Sequence, residues 1–175
     1  NNNEQLNNGV AFPTGIGINN IVAHYTPNNK CETILKKNDV CKIDFGTHIN
    51  GCIVDSAFTI NIDNSYQTIL DASKDAVDNI VKTIGVDTKF SELSELSQEI
   101  VSSYEYNGKK LKPIDNICGH NILPWKIHGG KLLYGVPQKN DTQIVEENDI
   151  ISVEIFASNG SGTSYMDTQE KNYSH

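Results

Sequence analysis

An α+β domain with a largely antiparallel sheet is the fold class that this sequence predicts, and three observations carry it. Asn50-Gly51 lies between two apolar, β-branched runs, the strongest short-range signal for a hairpin. Two stretches, over 65–85 and about 91–104, then place apolar residues at helical spacing. From there to the end the pattern returns to strands and loops. Strands, two helices and strands again, with no exact repeat, segregate the helices instead of alternating them with parallel strands.

Each element has its own reason. The chain opens NNNEQLNN, a polar, Asn-rich edge over residues 1–9 unlike a terminus packed on a core. VAFPTGIGINNIVAHYT reads as short strands broken by Pro13, Gly15 and Gly17. Its GIG element is no dinucleotide fingerprint, because no helix pattern follows it. The hairpin spans about Val40 to Asn61. SYQTILDASKDAVDNIVKTIG carries Ile69, Ala72, Ala76, Ile80, Val81 and Ile84 on one stripe, which stops at Gly85. The second helix, from about Ser91 to Tyr104, groups Leu93, Leu96, Ile100 and Val101, and Ser91 suits an N-cap region. EYNGKKLKPI contains a second turn signal, and IISVEIFA (150–157) is the clearest later strand.

Bulk properties narrow the function. The chain has 175 residues, enough for one domain with a substantial core. A net charge of -8, with every one of the 14 basic residues a Lys, argues against nucleic acid as a partner. No apolar run approaches a membrane span, and no signal-peptide h-region is present, so no membrane partner is expected. Cys31, Cys41, Cys52 and Cys118 lack CxxC spacing and disulfide-rich density. Free thiols in a reducing, cytoplasmic setting are the simplest account.

Asp44 and Asp55 flank the Asn-Gly turn. With a two-residue loop, Ile49 faces Cys52, Asp44 faces Ala57 and Asp55 faces Gly46. Both carboxylates then leave one face as diagonal neighbours, roughly 7 Å or less apart at Cβ. Like charges that close call for a shared proton or bound cations. A three-residue loop would instead put them on opposite faces, and two unrelated surface Asp is the plainer alternative. Ile43, Phe45, Ile53, Val54 and Phe58 suggest that both faces of the hairpin are at least partly covered, where acidic groups need partners.

Histidines are few: His24 in IVAHYTP, His48 beside the turn, His120 in CGHNI, His128 in KIHGG, and His175 at the end. A lone His is more often structural or solvated than functional. Gly119 before His120 is more suggestive, since it permits close backbone approach to a ligand. Glu154 interrupts an apolar strand, either on a solvated face or buried with a counter-charge. Two Asp, one or two His and a Glu suit divalent cations such as Mn, Fe, Co or Zn. Carboxylates able to bridge favour a two-metal site that activates a bridging water for hydrolysis.

With those residues in view, the sequence resembles the methionine aminopeptidases of type 2, within metallopeptidase family M24. The matching stretches are AFPTGIGINNIVAHYTP, VCKIDFGTHI, GCIVDSAFT, GHNILPWKIHGG and SVEIFAS, in order from about Val10 to Ser158. FPTG with AHYTP follows the type 2 wording, and the eight-residue step from His120 to His128 is one longer than type 1 uses. The resemblance implies a pita-bread fold, two pseudo-equivalent halves around an antiparallel sheet with a dinuclear site at the centre. It implies Asp44, Asp55, His120 and Glu154 as metal ligands, Asp55 bridging two divalent ions and Glu154 also acting as general base. His24 would hydrogen-bond the scissile peptide at the pocket mouth, and His128 would meet the substrate carbonyl region. Phe12, Ile127 and Phe156 would line an apolar pocket for a methionine side chain. The implied reaction is removal of the initiator Met from nascent polypeptides before a small second residue, with a metal-bridging water as nucleophile and ribosome association among the expectations.

The match also has gaps. A fifth ligand of the family, a second bridging Glu, has no counterpart within these residues. The expectation is therefore a partial catalytic domain over 1–175, without the type 2 helical insertion, the last strands or the helical stretch before residue 1. Four of five ligands would hold one metal loosely. A non-catalytic relative acting as a binding module is the rival reading. Such relatives usually lack several ligands, whereas Asp44, Asp55, His120, Glu154 and His24 are all present. Other pita-bread peptidases, such as prolidase or aminopeptidase P, share the metal set, but the FPTG and AHYTP wording disfavours them.

Overall fold

The structure, a computed structural model, describes residues 7–167. The polar opening at 1–6 and His175 lie outside the described residues. The chain divides into two compact units. One takes the residues up to Tyr66 together with Leu123–Ile127, and the other takes Gln67–Ile122 and His128–Tyr165.

The first unit is a three-stranded antiparallel sheet of β1 (Asn8–Ile18), β2 (Val40–Ile49) and β3 (Cys52–Asn61), in the order β1-β2-β3. The short strands predicted over residues 10–26 are instead one strand, β1, that ends at Ile18, and residues 19–26 belong to the β1–β2 connection. The register of β1 slips between Val10 and Phe12 and again between Phe12 and Gly15. Pro13 falls in the second slip, where a residue without an N–H costs no ladder bond, and β1 has a partner on one side only. The base of the hairpin is locked by side chains. Asn19 Nδ2 donates to Asp39 Oδ1 (2.9 Å), Asn19 Oδ1 accepts from the Val40 N–H, and Asn61 Nδ2 donates to the Asp39 carbonyl.

The expectation that both hairpin faces are at least partly covered holds only weakly on the outer one. Residues of the face opposite Asp44 and Asp55 stand open: Val10, Phe45, Ile49, Val54 and Phe58 are between 38% and 71% exposed. Phe45 and Phe58, diagonal neighbours, meet edge to face with centroids 6.5 Å apart. Ile43 and Ile53 are half-buried.

The second unit holds the main core. Its helices are α1 (Gln67–Thr83) and α2 (Phe90–Ser103). Ala72, Ala76 and Ile80 of α1 and Phe90, Leu93 and Val101 of α2 join Leu111, Leu133, Val145 and Ile155 in one buried cluster. Val81 is not on the stripe as expected: it is 57% exposed, and Val77 packs on the core instead. A step of 100° per residue explains this, since 69, 72, 76 and 80 align with 77 and not with 81. Nor does Ser91 cap α2. The cap residue is Lys89, with no side-chain cap bond, and its backbone bridges Ile144 while the Phe90 N–H reaches the Gln143 carbonyl. A tertiary contact here replaces a local cap.

Short antiparallel ladders complete this unit. β4 (Glu105–Tyr106) pairs with β5 (Lys109–Lys110) across Asn107-Gly108, both at positive φ as the turn signal predicts. β6 (Lys112–Pro113) pairs with β10 (Ala157–Ser158). β7 (Cys118–Ile122) lies between β8 (Leu132–Tyr134) and β9 (Ile150–Ser152). The strand expected over 150–157 is thus two shorter ones, with Glu154 in the extended stretch between them. Among the described residues, no helix is long and apolar enough to cross a membrane.

Candidate metal centre

In the first unit the turn decides where the acids point. Asn50 and Gly51 have φ of 50° and 82°, the two left-handed positions of a two-residue hairpin turn. The register follows: Ile49 opposite Cys52, Gly46 opposite Asp55, Asp44 opposite Ala57. Asp44 and Asp55 therefore share one face as diagonal neighbours, and both are half-buried. Phe12, opposite Gly46, lays its ring on that face: a Cβ at Gly46 would fall 2.2 Å from a Phe12 ring carbon. Lys42 also belongs to this face, with Nζ donating to the Asn19 carbonyl at 2.8 Å, and burial draws its pKa down to about 8.

His24 is carried to the same sheet from the β1–β2 connection. Gly15 pairs with Asp44, and the neighbouring Ile16 N–H donates to the Tyr25 carbonyl at 2.7 Å. His24 itself has a φ of 62°, which a side chain bearing a Cβ rarely adopts. Ile127, half-buried, belongs to this unit through the segment that docks on the turn. There the Trp125 N–H donates to the Gly51 carbonyl (2.9 Å), and its ring sits 5.0 Å from that of His48.

The second unit brings His120, His128 and Glu154 together. His120 on β7 is 4% exposed. Its Nδ1 lies 3.3 Å from the Asn121 carbonyl, which can only accept, so that nitrogen carries a proton in the bond. Its Nε2 lies 3.3 Å from Glu154 Oε1. Two lone pairs facing at that distance need a proton or a cation between them, so imidazole and carboxylate form two donors of a fitting metal site. The Ser152 hydroxyl donates to the same Glu154 oxygen at 3.1 Å. His128 meets His120 edge to face, with centroids 4.5 Å apart and planes at 86°. Phe156 is half-buried, its carbonyl accepting from the Ile114 N–H.

Gly119 permits a close approach of the chain itself. A Cβ there would fall 2.3 Å from the Ser152 carbonyl oxygen and 2.9 Å from the Glu154 nitrogen, so the glycine lets 152–154 run against β7. Cys118, one residue earlier, faces Tyr134. Burial and then the Glu154 charge push its thiol up. Cys41, Cys52 and Cys118 are free thiols. Sequence reasoning missed Ser152 and Asn121. Ser152 has a signal, its spacing of two from Glu154 in an extended run, whereas Asn121 has none without the fold.

The profile of metallopeptidase family M24 matches residues 2–170. Methionine aminopeptidase 2 of Kluyveromyces lactis is 46% identical over 158 residues, covering 88% of this chain and 38% of the relative. Methionine aminopeptidase 2 of Schizosaccharomyces pombe is 43% identical over 172 residues, covering 96% and 40%. The chain thus spans about two fifths of the length of these curated relatives. The crystal structure of a methionine aminopeptidase from Thermotoga maritima superposes with a TM-score of 0.76 at 18% identity, over 92% of this chain and 62% of that one. That likeness is one of fold, the pita-bread architecture. On the family match alone, the chain belongs to metallopeptidase family M24.

Proposed function

We propose that this chain carries the catalytic residues of a methionine aminopeptidase, which removes an initiator Met that precedes a small residue. The observation that supports it most is the His120–Glu154 pair, with the imidazole held by the Asn121 carbonyl so that Nε2 faces the carboxylate. Asp44 and Asp55, projecting from one face of a hairpin, supply the remaining carboxylates. We assign these four as ligands of two divalent cations, Mn, Co, Fe or Zn. When bound, such cations supply Lewis acidity that brings the pKa of a water towards neutrality and polarises a carbonyl.

The chain's own groups do the rest. Glu154 accepts the proton of the attacking water, and Ser152 holds the carboxylate in place through Oε1. His24 donates a hydrogen bond where negative charge develops on the scissile peptide. His128 contacts the substrate carbonyl region. Phe12, Ile127 and Phe156 bound an apolar pocket for the methionine side chain, and the acidic set favours a free α-amino group. The reading places the reaction in the cytoplasm, on nascent polypeptides, with ribosome association as the way of meeting them.

The test uses the intact protein titrated with each of the four cations and assayed on Met-Gly-type and Met-Leu-type peptides. The expected outcome is release of Met from the first at least about tenfold faster than from the second, a discrimination typical of pocket size. A folded protein with no hydrolysis under any cation would instead favour the non-catalytic binding module.

A further inference from the structure

We propose that the Asn121 carboxamide is a positioning residue that sets His128 against His120. The inference rests on the reading above, that His128 meets the substrate. All of its groups lie in the second unit.

Asn121 is 5% exposed and directly follows His120 on β7. It grips the returning chain at three points: its N–H donates to the Lys131 carbonyl (3.1 Å), its carbonyl accepts the Gly129 N–H (2.7 Å), and Oδ1 accepts the Lys131 N–H (2.9 Å). The carboxamide also lies flat against Gly129, where a Cβ would come within 2.4 to 2.7 Å of Oδ1, Cγ and Nδ2. Gly129 follows His128, whose exposed ring meets the His120 ring edge to face at 4.5 Å. The Asn121 carbonyl that holds Gly129 also faces His120 Nδ1. One residue thus orients both imidazoles. Its backbone would do part of this with any side chain, but the Oδ1 bond and the contact with Gly129 need a planar acceptor group of this length. Gln would carry its oxygen one carbon too far, and Ser would stop short of it.

The test compares Asn121→Leu, of similar shape but without the acceptor, with Gly129→Ala, which presses a methyl into the carboxamide from the other side. In the intact protein each should raise KM for a Met-Gly peptide about tenfold while kcat and cation affinity stay within about twofold, because an orienting group is lost and not a reacting one. In the cation-free protein, the ring protons of His128 should lose the ring-current shift imposed by His120. In a His128→Ala background, Asn121→Leu should add nothing further to KM. Unchanged KM and unchanged His128 resonances in both variants, while His128→Ala does raise KM, would overturn the positioning role. If His128→Ala leaves KM unchanged, the reading of His128 falls instead, and the resonances alone decide whether Asn121 places it.

Discussion

His24 holds the most exacting backbone of the proposed site residues. Its φ of 62° persists only where the surroundings impose it, and the bond between Ile16 and the Tyr25 carbonyl supplies part of that restraint. In the function proposed above, this side chain donates to the transition state and is no cation ligand. His24→Ala should therefore lower kcat by about 10²–10³, with cation content, measured by atomic emission, unchanged. Loss of the cation would make His24 a ligand instead. At this scale the sequence was most legible where a residue broke its context. Glu154 in an apolar run stood out, and it proves to face a buried imidazole. Asn121 did not, because an Asn after a His is unremarkable until the chain returns ten residues later to meet it.

Among the elements, the hairpin was legible almost to the atom and β1 was not. Asn50-Gly51 sets a two-residue turn by local sterics, and with a period of two the register and the face of each Asp follow. Pro13, Gly15 and Gly17 suggested breaks because propensity is local, whereas pairing with β2 carries the strand through two slips. The exposed outer face was misjudged for a related reason: apolar residues in a strand indicate what can be buried, not what is. The lock at the base of the hairpin has a pH dependence. Hydrogen bonds from the Asn19 side chain and the Lys36 N–H hold the Asp39 carboxyl below its usual value of 3.8. Its contribution is thus complete above pH 3.8 and is lost as pH falls through its own lowered pKa. Asp39→Asn should be less stable than the parent at pH 7 in urea unfolding, with the difference narrowing towards pH 2. Parallel losses in both proteins would remove Asp39 from the account.

For the molecule as a whole, the α+β class and the antiparallel pairing followed from the hairpin and the two stripes. The division into four small ladders did not, since ladders of two or three residues leave no periodicity to read. The core of the second unit explains the helices: α1 and α2 bury their stripes in one cluster with Leu111, Leu133, Val145 and Ile155. Most depends on the proposed donors, that Asp55 of the hairpin and Glu154 of the His120–Glu154 pair are each ligands of a divalent cation. The most direct test is calorimetric titration of Mn²⁺ into the intact protein and its Asp55→Asn and Glu154→Gln variants, which keep shape and remove one charge each. The account predicts that either substitution weakens binding by at least about tenfold, as loss of a ligand or its immediate support does. Unaltered Mn²⁺ affinity in both variants would contradict it.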